Sequence, residues 1–157
     1  MVPPLIRHSP GSTPIDKEIA LRAIDTVKEA VPFLSPGPAL IARGPGGELH
    51  VDVPLMYQSY ALDRIHFDPV AMEPSPKGRP IRAFKESISR EEVANVMDSI
   101  VRELKVLEGA EYREPERAWI VPLAWGPYIV AHVRVSSEGN EIIPDYGLTE
   151  EVRRYVL

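Results

Sequence analysis

The sequence predicts an α+β domain: a mainly antiparallel sheet of five to six strands, with two main helices packed on one face. Three observations point there. Two segments carry apolar residues at helical period between clear end signals. Several short runs alternate apolar and polar residues between turn-forming clusters. One pattern, V-P-L-x-aromatic-x-x-Y, occurs twice without a gap, at Val53-Pro54-Leu55-Met56-Tyr57-Gln58-Ser59-Tyr60 and at Val121-Pro122-Leu123-Ala124-Trp125-Gly126-Pro127-Tyr128. The element order read from these signals is α-β-β-β-α-β-β-β-α, and short turns between consecutive strands favour antiparallel pairing.

Each element has its own justification. Residues 1–13 read as an extended arm, because Pro3, Pro4 and Pro10 each remove a backbone donor. Ser12 or Thr13 then caps a helix, with Pro14 in its first turn and Ile15, Ile19, Ala23, Val27, Ala30 and Val31 on its apolar face. Pro32, Pro36, Gly37 and Pro38 stop it. Residues 39–43 and 48–53 form a hairpin around Gly44-Pro45-Gly46-Gly47, in which Leu49, Val51 and Val53 alternate with Glu48, His50 and Asp52. Residues 60–67 are the third strand, with Leu62, Arg64 and His66 on one face and Asp63, Ile65 and Phe67 on the other.

A long irregular stretch, 68–82, holds four prolines around Lys77-Gly78-Arg79, and loops of that length are commonly functional. Ser89 and Glu92 have capping-box spacing, and Val93, Val96, Met97, Ile100, Val101, Leu104 and Leu107 follow at helical period until Gly109. Residues 117–121, 128–135 and 141–143 are strands, and Thr149 caps a closing helical turn or two. The final segment, with Asp145-Tyr146-Gly147, Arg153, Arg154 and Tyr155, seals a sheet edge. Trp119 and Trp125 serve the core, with partial exposure the alternative for Trp125 beside Gly126-Pro127.

A length of 157 residues, 44% hydrophobic and 26% charged, fits one soluble domain over 14–157, with two quasi-repeated halves at 14–70 and 89–157. Without cysteine, disulfides, thiolate metal sites and cysteine nucleophiles are excluded. No apolar run reaches the roughly 20 residues of a membrane helix, and the proline-studded N-terminus does not read as a secretory signal. The expected setting is the cytoplasm, with no membrane partner. Two Asn, one Gln and 17 Pro resemble the composition of proteins from hot environments. A net charge of −5 argues against nucleic acid as a partner.

Within the repeated pattern the proline is expected to end one strand, the aromatic residue to anchor the turn, and the tyrosine to start the next strand. The same register sets Arg64 against His132 and His66 against Arg134. Each basic pair is two residues apart and so shares a strand face. If the strands are neighbours, Arg64, His66, His132 and Arg134, with Tyr60 and Tyr128, gather on one wall that attracts a phosphate or carboxylate. Against this stands the ordinary reading of such residues as the wet face of a half-buried sheet. Lys77 and Arg79 offer a second contact, to an anion, a partner or nucleic acid through 77–82.

Other chemistries have less behind them. His50 and Asp52 with His66, His132 or Asp68 would supply nitrogen and oxygen ligands, but no second cluster at ligand spacing accompanies them, so no metal and no cofactor is expected. No Ser lies in a G-x-S-x-G turn, and the glycine-rich turn at 44–47 lacks the Lys of a phosphate loop. The chain reads as leaning away from catalysis.

At the level of element order alone, the chain resembles small α+β secretion-chaperone-like and adaptor folds, which are acidic and commonly dimeric. That resemblance implies a non-catalytic binding or adaptor module acting as a homodimer, with a protein partner. The alternative is a protein that binds, or acts on, a small anionic molecule through the basic cluster.

Overall fold

In the computed structural model, which describes residues 5–8 (backbone only), 16–79 and 81–156, the antiparallel strands expected from the sequence divide between two sheets. The first is built on β4 (Leu49–Tyr57) and β5 (Tyr60–Asp68), flanked by β2 (Leu34–Pro36), β3 (Leu40–Arg43) and β6 (Glu73–Pro74). The second is built on β9 (Ala118–Trp125) and β10 (Tyr128–Ser136), flanked by β7 (Lys105–Val106), β8 (Gly109–Arg113) and β11 (Ile142–Ile143). The N-terminal strand β1 (Leu5–His8) adds to β8 in parallel. The arm therefore contributes a regular strand: the four residues after Pro4 keep every backbone donor, which the prolines around them lack.

Three helices complete the fold among the described residues: α1 (Lys17–Ala30), α2 (Arg90–Arg102) and α3 (Tyr146–Val156). None is long and apolar enough to cross a membrane. The two main helices are shared out between the sheets. The α1 helix lies against β7–β10 of the second sheet, whereas α2 lies against β2 of the first. Small residues let α1 approach closely: Ala20 and Ala23 are fully buried, and Gly139, at φ +80°, sits where a Cβ would come within 2.7 Å of the Ile19 carbonyl oxygen.

The caps differ in part from expectation. Ser12, Thr13, Pro14 and Ile15 lie outside the described residues, and the α1 cap is Asp16, whose carboxylate accepts from the backbone N–H of Glu18 and Ile19. Ser89 caps α2 as expected. That helix ends at Arg102, with Glu103 as its C-cap, rather than running to Gly109, since Lys105 and Val106 already pair in β7. Thr149 lies inside α3 and does not cap it. Asp145 precedes the helix and accepts from Leu148 N–H, while buried Thr149 donates its hydroxyl to the Asp145 carbonyl and accepts from Ala61 N–H at 2.9 Å.

The two V-P-L hairpins have the same internal geometry. Tyr57 faces Tyr60 as Trp125 faces Tyr128, and the two intervening residues turn the chain with positive φ at Gln58 (57°) and Gly126 (56°). One rung further, both ladders shift register, leaving Leu62 and Val130 as equivalent extra residues. Below the bulge the rungs continue in step: Val53 with Ile65 and Val51 with Phe67, Val121 with Val133 and Trp119 with Val135. All eight of these side chains lie in the main core.

The prolines sit inside these strands and do not end them. Pro54 and Pro122 each lie opposite the point where the flanking chain steps from one short strand to the next. There the proline carbonyl accepts from a passing N–H (Gly37 to Pro54, 2.8 Å; Leu107 to Pro122, 3.1 Å). The missing proline donor thus falls at a step between two short strands and not within a continuous ladder, so the interior position is tolerated.

Candidate functional site

The open edges of β5 and β10 meet each other. Lys77, after β6, donates its backbone N–H to the Ile129 carbonyl at 2.7 Å; Asp145, after β11, donates to the Ala61 carbonyl at 2.8 Å. Donors and acceptors occupy matching places in the two hairpins, so the contact is reciprocal, as in an interface with twofold symmetry. At its centre stands Asp63. Its carboxylate accepts from His132 N–H at 2.7 Å, from Lys77 Nζ at 2.5 Å and from Arg64 N–H at 2.8 Å. A side chain thus supplies the acceptor that a neighbouring strand would otherwise have offered.

The expected basic wall is differently arranged. Arg64 and His66 come together, but on an acid: Asp52 takes Arg64 Nη1 at 2.9 Å on one oxygen and His66 Nδ1 at 2.8 Å on the other. Glu151, from α3, pairs with the remaining arm of Arg64. Burial alone would raise the Asp52 carboxyl, but the hydrogen bonds and charges of His66 and Arg64 outweigh it and hold it below its ordinary value. Burial likewise opposes the Arg64 charge, and the bonds from Glu151 and Asp52 raise its affinity for its proton above the usual level. Arg64 is therefore spent inside the protein.

His132 lies across the junction, half-buried, on the wall of a separate cavity of about 460 Å³ bounded by Glu111, Arg113, Ile120 and Ile129. Burial depresses its basicity, Lys77 nearby adds to the effect, and Asp63 opposes it. Arg134 pairs by backbone with Ile143 and lines neither this cavity nor the one beside His66. The four groups thus do not share one pocket. Tyr60 stacks edge-on against Tyr146 and lies under Arg153, and Tyr128 borders a groove beside 68–83. Trp119 is core, whereas Trp125 is half-exposed with its indole N–H on Glu103.

What the geometry does gather is a second set. A cavity of about 420 Å³ lies beside the polar face of β4, lined by His50, Asp52 and His66 from the sheet and by Gly78, Arg79 and Ile81 from the loop. Asp52 fixes His66 through Nδ1, and Nε2 has no hydrogen-bond partner among the described residues. His50 is half-exposed, with Nε2 3.5 Å from Glu48. Among the described residues no three His, Asp or Glu side chains gather closely enough to hold a metal ion.

Sequence reasoning overlooked Asp63, although an acid on the otherwise apolar Ile65–Phe67 face was its signal. It also left Arg79 and His66 unconnected, because nothing local brings a loop residue over a strand. No family model matches the chain, and neither a curated protein nor a solved structure does.

Proposed function

We propose that this chain is a non-catalytic binding module that works as a homodimer, pairing through the free edge of β3. One observation carries the reading. The strands β3 and β8 hold corresponding places in the two sheets, since Ile41 faces Val51 as Tyr112 faces Trp119. The strand β8 has β1 on its outer side, whereas β3 pairs only with β4 among the described residues. An uncovered edge presents unpaired N–H and C=O groups, which favour the addition of another strand. The β5 and β10 edges already cover each other within the chain, and β3 is the edge we assign to a second copy. Antiparallel pairing of β3 with its own twin across a twofold axis supplies the missing neighbour on both chains. The cysteine-free, proline-rich composition supports a cytoplasmic protein adapted to heat, and an adaptor role follows from the dimer's paired surfaces.

Size-exclusion chromatography with light scattering tests this. Wild type is expected to run as a dimer at micromolar concentration. Adjacent N–H groups along an edge strand point to opposite sides, so either Ile41→Pro or Ala42→Pro removes an outward donor while sparing the bond to β4. The variant of the two that keeps its melting temperature should run as a monomer. A wild-type chain that stays monomeric to millimolar concentration, or a folded edge variant that stays dimeric, overturns the reading.

A further inference from the structure

We infer that the cavity between β4 and the loop residues Gly78, Arg79 and Ile81 is a binding site for the phosphate group of a small organic phosphate. This site is separate from the β3 edge and stands or falls without it. Three nitrogen-bearing side chains border the space: His50 and His66 from the paired strands β4 and β5, and Arg79 from the loop. Donors arriving from different elements suit the tetrahedral oxygens of phosphate better than the flat fork of a carboxylate.

The support behind them is already built. Asp52 is paired with Arg64 and orients the His66 ring, so the carboxylate acts to hold a donor in place. Of the nearby cations, Arg64 and Lys77 are both committed to acids, Asp52 with Glu151 and Asp63 respectively. Arg79 pairs with no acid among the described residues, and its position beside Gly78, which turns the loop at φ +82°, sets it at the cavity wall. A volume of about 420 Å³ leaves room for an organic portion beside the phosphate, with Ile81 as an apolar neighbour.

Calorimetric titration with inorganic phosphate and with phenyl phosphate is the test, on the full chain in a phosphate-free buffer. Both probes should bind saturably at one site per chain, phenyl phosphate the more tightly. Arg79→Ala and His66→Gln should each weaken binding at least tenfold while melting as wild type does. Arg134→Ala, which removes an equal charge outside the cavity, should leave the affinity unchanged. Absence of saturable binding by either probe overturns the inference. So does an equal loss from Arg134→Ala and Arg79→Ala, which would mark general charge attraction. Benzoate binding as well as phenyl phosphate would overturn the choice of phosphate.

Discussion

The first and second hairpins share turn, bulge and core rungs, yet their outer faces carry different chemistry. Where the first has Asp52 opposite His66 and Pro54 opposite Arg64, the second has Ile120 opposite Arg134 and Pro122 opposite His132. A single replaced position accounts for much of the divergence. Asp52 gathers both its basic neighbours and keeps that face charged and internally paired. Ile120 can gather neither, and His132 instead lines a cavity beside Glu111 and Arg113, while Arg134 is in no salt bridge among the described residues. The comparison separates what the fold requires, namely the buried rungs and the bulge, from what each face is free to become.

The largest expected effect tests the shared part. Leu55 and Leu123 are equivalent, both fully buried in one common core. Truncation of either to alanine should cost about 2–5 kcal/mol, because each leaves a cavity that its packed surroundings fill only in part. Both variants should unfold in one transition, with tryptophan fluorescence and far-ultraviolet circular dichroism coinciding in urea. The exchange of helices between sheets dictates this, since neither half can bury its core without the other. Separate transitions for the two variants would mean that the halves are independent.

The divergent faces should lose stability in different pH windows. His132 is less basic folded than its ordinary 6.5, so below that pH the unfolded chain takes the proton first. Stability therefore falls as pH drops from 6.5 towards the folded value, by at most about 1.4 kcal/mol per pH unit for one proton. Asp52 is held below its ordinary 3.8, so its contribution is present above that pH and is lost as pH falls through the folded value. Measured as differences from wild type, His132→Gln should flatten the profile just below 6.5, and Asp52→Asn only below 3.8. An identical change from both would erase the contrast between the faces.

How much of this was legible in the sequence follows from the range of each interaction. The two main helices announce themselves by periodicity, and β4, β5 and β10 by alternation over part of their length, whereas β9 is buried almost throughout and shows only as an apolar run. Of the short strands, β11 is marked by the turn before it, whereas β2, β6 and β7 have two or three residues each and exist only through their partners, so no local pattern marks them. The V-P-L repeat was readable as letters, but the place of its prolines was not. Tolerance of Pro54 depends on Gly37 passing at that point. The arrangement of the basic residues was hidden for the same reason: Glu151 and Asp52 reach Arg64 from distant positions, and charge spacing along β5 reveals neither.

The smallest effect concerns the two turns, which share one conformation and differ in residue. At φ 57°, Gln58 occupies a left-handed position that disfavours any side chain by about 1–2 kcal/mol. Gln58→Gly relieves that strain but lets the unfolded chain gain about 0.4–1 kcal/mol of freedom, so the net change should be small and stabilising. The reverse substitution, Gly126→Gln, incurs the strain and one cost more. The residue after it is Pro127, whose ring crowds any preceding residue that bears a Cβ. A Cβ at Gly126 would otherwise meet open space, so packing does not enter the result. Thermal unfolding should show Gly126→Gln destabilised by about 1–2 kcal/mol and Gln58→Gly slightly stabilised. Equal and opposite shifts would show that proline plays no part and that the two turns are interchangeable.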